Sequence, residues 1–385
     1  MSDPRHHRLD DLDRLVTELH ELAPARSAPA ASDTSELGDW LREVRAQDGS
    51  DLLLVASLPP LARVKGHVSR LGGEPLDGED IERAVSPVVP SRLRERFRNG
   101  EAIDLGFTVK GLGRFRMNLH RERGRAAAAI RALPTRVPRV GDLHFTHDIA
   151  FLAELPRGLL LVCGPTGSGK TTTLAALVAE INARHSRHIV TVEDPVEYEH
   201  LHGRSVIEQV EIGIDAPDFP AALRSAVRQA PDVIVVGEMR DPETMRIALA
   251  AAETGHLVLA TVHATDAAAA LSRIADGFPV ERQNAVRQEL AMALAAVLTQ
   301  SLVPTRSGTL APVGELLVVS YGARQHIRKN ALQHLNQEIT ITRKSGSFTL
   351  EESLARLVHG GGLDRGDAML RAAHPEELES LLRSA

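Results

Sequence analysis

The spacing of apolar positions changes several times along the chain, and each change marks a different kind of element. Leu9, Leu12, Val16, Leu19 and Leu22 recur three and four residues apart among Asp, Arg and Glu, which predicts one amphipathic helix over residues 8 to 22. Residues 23 to 32 are Ala, Pro and Ser, the composition of a flexible linker. A helix this short is not a stable fold alone, so it is either a docking element or a loosely attached extension. From Leu37 to Pro134 the pattern breaks into shorter pieces. Leu52 to Ala56 and Leu61 to Lys65 flank Pro59-Pro60 and read as strands, a helix follows Asp77-Gly78, and another covers Ser91 to Arg98. Phe107 to Val109 and Phe115 to Leu119 read as paired strands around Gly111-Leu112-Gly113. Pro134 to Gly141 reads as an interdomain connection.

From Ile149 to Leu302 strand-like and helix-like segments alternate, the pattern of a parallel sheet covered by helices. Four strands stand out: Leu159 to Cys163, Ile189 to Val192, Val233 to Val236 and Leu257 to Val262. Val286, Leu290, Leu294, Val297 and Leu298 share one face of a helix expected over Gln283 to Leu302. A strand over Gly314 to Ser320, a helix over Gly322 to Leu335, and helices from Phe348 onward broken at Gly360-Gly361-Gly362 complete the chain. His374-Pro375-Glu376-Glu377 opens the last of them. The predicted class is α/β, in four parts: 1–35, helix and linker; 36–134, a small α+β domain; 135–148, a connection; and 149–385, the larger domain.

Composition narrows the function. The 385 residues allow two or three domains with ample core. No apolar run reaches eighteen residues and Met1 is followed by a polar segment, so neither a membrane span nor a signal peptide is expected and a cytoplasmic location is. The single cysteine, Cys163, excludes disulfides and a four-cysteine zinc site and reads as a small core residue. A net charge of -6 with 3% aromatic residues offers nucleic acid neither a basic footprint nor a stacking platform. Pairs such as His185/His188 and His200/His202 lack cysteines or a second pair at metal-site spacing and read as scattered polar residues.

The candidate chemistry lies at the strand ends. Gly164-Pro165-Thr166-Gly167-Ser168-Gly169-Lys170-Thr171 is a full P-loop pattern between a strand and a helix. Its glycines let backbone N–H groups turn inward onto phosphate oxygens, and the helix N-terminus adds partial positive charge. Lys170 is expected at the β- and γ-phosphates, the Thr171 hydroxyl on Mg²⁺, and Thr172 completes the ATP-binding set. In open parallel sheets ligands bind beyond the carboxyl ends of the strands, so Glu193, Glu238 and His263, each just past a strand, should converge there. Asp232 precedes its strand and belongs roughly 20 Å away, at the opposite edge. One acid would help hold hydrated Mg²⁺, with Glu238 the metal candidate, while the other would orient or deprotonate the attacking water. Spacing assigns neither role. His263 suits contact with the γ-phosphate, a relay to the turn over Thr261 to Asp266, or a satisfied core position. His256, before its strand, is harder to place at the nucleotide. Six arginines between Arg114 and Arg131 read mostly as a solvated strand and loop face.

Four stretches together carry a resemblance. The P-loop, the acidic run Val192-Glu193-Asp194-Pro195-Val196-Glu197, the segment Val236-Gly237-Glu238-Met239-Arg240-Asp241-Pro242, and Thr254-Gly255-His256 through His263 resemble the Walker A, Asp box, Walker B and His box of the type II secretion and type IV pilus ATPase superfamily, most closely its PilT-like retraction motors. The resemblance runs from Leu37 to the C-terminus. It implies a RecA-like ATPase domain preceded by a PAS-like α+β domain, ATP and Mg²⁺ as cofactors, and a homo-hexameric ring. The ring would be peripheral to the inner membrane, pushing on a pilus platform protein there. It also implies arginines reaching the γ-phosphate of the neighbouring subunit. Arg114-Phe115-Arg116 matches the family's Arg-Phe-Arg segment, and Arg131 the later arginine, so Arg116 and Arg131 are the expected fingers, with Arg114 the competitor.

Retraction motors carry a helix of the type A-I-R-N-L-I-R-E. Here Gly322-Ala323-Arg324-Gln325-His326-Ile327-Arg328-Lys329 keeps Arg324, Ile327 and Arg328, the expected output residues, but ends in Lys329. That departure leaves the ATPase expectation intact and opens the output to other readings: an accessory retraction paralogue, an extension or type II secretion motor, or a nucleotide-binding scaffold with little turnover. The extension and secretion motors' tetracysteine insert and longer N-terminal domain are missing.

Overall fold

A computed structural model of the chain describes residues 36–384; the helix and linker expected over residues 1–35 lie outside them. The chain divides into two compact units, one reaching Arg136 and including Pro195–Glu199, the other formed by Val137–Asp194 and His200 onward.

In the first unit Leu37, Leu41 and Val44 are buried along one side of α1 (Glu36–Ala46). Then come β1 (Gly49–Leu54), β2 (Leu61–Val64), β3 (His67–Arg70), α2 (Gly78–Val85), α3 (Ser91–Arg98), β4 (Ile103–Val109), β5 (Gly113–Glu122) and β6 (Arg125–Ala132). The expected turn at Asp77-Gly78 is a capping box: Asp77 accepts from the Asp80 N–H while Asp80 accepts from the Asp77 N–H. The strands form one antiparallel sheet in the order β3-β2-β1-β6-β5-β4. Phe107 and Phe115 face each other across β4 and β5, their rings stacked 5.7 Å apart. On β5, Phe115, Met117 and Leu119 point into the core, which turns Arg114 and Arg116 to the other face. The strand β6 was not expected: four successive alanines favour strands weakly, yet Ala126, Ala127, Ala128 and Ile130 are buried.

The second unit runs β7 (Gly158–Cys163), α4 (Lys170–Arg184), β8 (His188–Glu193), β9 (Val206–Glu211), α5 (Phe219–Ala226), β10 (Val233–Val236), α6 (Pro242–Glu253), β11 (Leu257–Val262), α7 (Ala267–Asp276), α8 (Val280–Ala293), β12 (Leu294–Pro304) and β13 (Leu310–Val318). After these come α9 (Tyr321–Arg328), α10 (Leu335–Ile341), α11 (Leu350–His359), α12 (Arg365–Arg371) and α13 (Pro375–Arg383). Its sheet has the order β13-β12-β7-β11-β10-β8-β9, parallel except for β13. The four expected strands are its centre, buried by apolar clusters on both faces. The α/β class is as expected, with a sheet-containing N-terminal unit and a doubly covered, mostly parallel sheet.

Two expected helices are corrected. The one read over Gln283 to Leu302 ends at Ala293, and Leu294 to Pro304 is β12, paired on both sides. Leu294, Val297 and Leu298 fit a helical stripe, but a strand inside a sheet is also apolar on both faces and spacing alone does not separate the two. The helix read over Gly322 to Leu335 is α9 and then, after a single 3₁₀ turn at Leu332–His334, α10; between them Asn330 turns left-handed, at φ 54°. The segment from Val137 to Asp148, read as part of the connection, belongs to the second unit and buries Val140 in its core.

Candidate active site

Parallel register brings the strand ends into line. Val236 on β10 lies beside Val192 on β8 and Ala260 on β11, so Glu193, Gly237 and the end of β11 reach the same edge of the sheet. Past that edge Gly237 N–H donates to Val192 O at 2.8 Å and Met239 N–H to Thr261 O at 3.1 Å. Asp232 sits at the other edge, as expected, accepting from the His188 N–H at 2.8 Å. His256 is at that edge too, its ring nitrogen 2.9 Å from Ala251 O.

The P-loop leaves β7 and enters α4 through Gly169, left-handed at φ 87°. Gly164 admits no side chain, because a Cβ there would lie 2.2 Å from Gln300 O and 2.4 Å from Ser168 Oγ. Lys170 Nζ donates to the carbonyls of Gly164 at 3.0 Å and Pro165 at 2.8 Å, while the buried Ser168 hydroxyl has no protein partner. Burial lowers the Lys170 pKa, with the charge of Glu238 among the opposing effects. A buried ammonium held only by two loop carbonyls, with an unpartnered hydroxyl in the same loop, leaves donors that phosphate oxygens would take over. The nucleotide therefore fits. Thr171, Thr172, Thr166 and Gly167 complete the loop and the first turn of α4.

The acids are held differently. Glu238 Oε1 is 2.5 Å from Arg240 Nε and its Oε2 is 3.7 Å from His263 Nε2. Burial lowers the His263 pKa, and the Lys170 charge acts in the same direction against Glu238. Arg240 and His263 line a cleft of about 490 Å³ with Pro165, Thr166, Ala264 and Thr265. Glu193 accepts from Thr191 Oγ1 at 2.6 Å and Gln209 Nε2 at 3.1 Å, which orients its carboxylate. Among the described residues no three His, Cys, Asp or Glu side chains converge on one point. Mg²⁺ keeps several waters and needs few protein oxygens, so a hydroxyl such as that of Thr171 and one strand-end carboxylate would fit it beside nucleotide phosphates.

Arg116 and Arg131 lie on the first unit, directly opposite each other on β5 and β6. Arg131 Nε is 2.9 Å from Asp51 Oδ1, and an Arg116 nitrogen is 3.6 Å from Asp104 Oδ1. Arg114 is buried, donating to Val196 O at 2.8 Å and pairing with Glu199. Of the output residues, Ile327 is a core side chain, and Arg324 donates to the Ala291 and Met292 carbonyls at the end of α8. Arg328 keeps partial exposure.

A cavity of about 890 Å³, reaching from Pro165 and Thr265 to α11, contains the buried Glu315 and Glu351. Burial raises the Glu315 pKa to about 7, opposed by the Ala267 N–H that its carboxylate accepts at 2.9 Å and aided by Asp266 and Glu351. The unfolded carboxyl ionises near 4.5, so stability is lost as pH rises from 4.5 to 7. Gln at 315 keeps the Ala267 contact and removes that loss. Glu315→Gln should therefore raise the thermal midpoint at pH 8 and change it little at pH 4.5, whereas an equal midpoint at pH 8 contradicts the burial argument. His147 and His200, whose pKa values burial lowers to about 4, lose stability as pH falls, but equally in both proteins.

A P-loop at the sheet edge where Glu193 and Glu238 also end their strands, with the Glu238 charge felt at its lysine, is the arrangement of a nucleoside-triphosphate hydrolase of the mostly parallel α/β kind. The family described as Type II/IV secretion system protein matches residues 140–354. The chain is 38% identical over 330 residues to the type IV pilus retraction ATPase PilT of Pseudomonas aeruginosa, covering 86% of this chain and 96% of that protein. It is 35% identical over 349 residues to the type IV pilus ATPase PilU of the same organism, covering 90% and 91%. The crystal structure of the pilus retraction motor PilT with bound ADP superposes with a TM-score of 0.82 at 38% identity, over 90% of this chain and 99% of that one. The chain belongs to the type II/IV secretion ATPase family, is PilT-like within it, and is an ATPase.

Sequence reasoning missed Arg240 beside Glu238, although it lies in the Walker B-like stretch. For Arg240 the available signal was its place two residues after Glu238, beyond a strand end.

Proposed function

We propose that the chain is a Mg-ATP-driven motor of type IV pilus retraction, assembled as a homo-hexamer at the cytoplasmic face of the inner membrane against a platform protein. The observation that carries hydrolysis is Glu238, held between Arg240 and His263 beside the P-loop. Lys170 and the loop N–H groups bind the phosphates; Glu238 and Glu193 divide the orienting of water and the second shell of the ion; His263 reports the γ-phosphate to the turn that follows it. Mg²⁺, which Thr171 and one of the two acids would hold together with the phosphates, would supply charge neutralisation on the transferring phosphate. Arg116 and Arg131 serve a neighbouring subunit. The pilus output rests on likeness to PilT over most of both chains. No helix among the described residues is long and apolar enough to cross a membrane, which suits peripheral attachment.

A second reading, the accessory retraction ATPase, is favoured by Lys329 at the end of α9 and by similarity to PilU close to that with PilT. Deleting the gene in its source organism separates them. Surplus surface pili with lost twitching supports the retraction motor, near-normal twitching the accessory role, and bald cells overturn both. Steady-state hydrolysis by the purified protein is expected alongside; its absence would leave a nucleotide-binding scaffold.

A further inference from the structure

Where β7 leaves the sheet for the P-loop, the neighbouring β12 carries two buried polar residues, Thr299 and Gln300. Thr299 is the last residue of β12 paired with β7, opposite Cys163, and Gln300 follows it. The Gln300 amide is used at both ends: Nε2 donates to the Ser168 carbonyl at 2.7 Å, and Oε1 accepts from Thr173 Oγ1 at 2.9 Å. Each partner fixes the other's polarity, since a carbonyl only accepts and the amide oxygen cannot donate. All three residues are buried: Gln300 is 3% exposed, Ser168 2% and Thr173 1%. The Thr173 N–H also closes the first turn of α4 on Gly169 O at 2.9 Å. One amide thus ties the top of the phosphate loop to the helix that follows, across Gly169. Backbone approach repeats the fit. A Cβ on Gly169 would lie 3.3 Å from Gln300 Nε2, and Gly314, opposite Gln300 on β13, has no room for one beside Thr299 O at 1.8 Å.

We propose that Gln300 is a positioning residue for nucleotide binding: its amide clasps Ser168 to Thr173 and holds the P-loop in the curl that points its N–H groups at the phosphates. The inference rests on the nucleotide-site reading and adds a residue on a different strand. Gln300 touches the loop, and the loop touches the phosphates. Leu at 300 fills similar space but strands a buried carbonyl and a buried hydroxyl, and Glu puts a second acceptor against the Ser168 carbonyl. Both let the loop relax away from its binding shape.

The test is calorimetric titration of the full chain with ADP and Mg²⁺, with KM and kcat for ATP measured beside thermal midpoints. Gln300→Leu should weaken ADP by about tenfold or more, the worth of one unsatisfied buried pair. KM for ATP should rise with it, and kcat at saturation should change far less. Thr173→Val, a gentler change that keeps the fold if Gln300→Leu does not, should weaken ADP in the same direction, and the two should be less than additive together. Affinity within twofold of the parent in Thr173→Val and in any folded Gln300 variant, or a lowered midpoint with unchanged affinity, overturns the clasp. A parent chain that does not bind ADP would sink the nucleotide-site reading itself, a result distinct from either.

Discussion

Glu238→Gln should reduce ATP turnover by about 10²- to 10⁴-fold, the usual share of a positioned general base, while ADP binding stays near the parent value. Gln has nearly the shape of Glu and can still accept from Arg240, so the strand end and the cleft should survive the exchange. What it removes is the negative charge that bears on Lys170 and His263 and the ability to take a proton from water. Glu193→Gln is the necessary companion. Thr191 and Gln209 hold one oxygen of Glu193, whereas the Glu238 charge is felt at the P-loop lysine itself. The larger loss is therefore expected at Glu238, and near-normal turnover in both variants would remove the acids from the chemistry. Single-turnover measurement at saturating ATP checks it, because a binding defect would then vanish and a chemical one would not.

The same strand ends show how far the sequence could be read. The Walker A loop, the two acids beyond apolar strands and the position of Asp232 follow from one rule, that ligands gather at the carboxyl edge of a parallel sheet, and the register of β8, β10 and β11 obeys it. Gln300 was hidden for a physical reason. Its strand is buried on both faces, so Leu294, Val297 and Leu298 satisfy a helical stripe as well as a strand, and in a helix Gln300 would have had no business at the P-loop. The strand β6 was hidden by its alanines and flanking arginines, which lack the β-branched side chains that mark strands. Arg114 shows a third limit. Its burial depends on Val196 and Glu199, some eighty residues away, a pairing that no local pattern encodes. The motif put Arg116 and Arg131 forward with Arg114 as their competitor, and tertiary structure gave Arg114 a buried partner.

Arg116→Ala and Arg131→Ala should each lower turnover by up to about 10³- to 10⁵-fold, the range for an arginine supplied to a phosphoryl-transfer site by a neighbouring subunit, with ATP binding largely kept. The two stand directly opposite on adjacent strands, an arrangement in which like charges repel. Asp51 and Asp104 offset part of that repulsion, and a third, external anion would offset the rest. Complementation then tests whether they act on another subunit's phosphates. Lys170→Ala protomers lack a working P-loop but keep both arginines, whereas Arg116→Ala protomers have the reverse defect, so each assembly alone should be inactive. Mixed before assembly, they create junctions where an intact P-loop meets an intact arginine, and activity should return in proportion to such junctions. If the arginines served their own subunit, every site in the mixture would still lack one element and the mixture would stay inactive. Ring size and nucleotide binding of each variant, measured beforehand, separate that outcome from failed assembly.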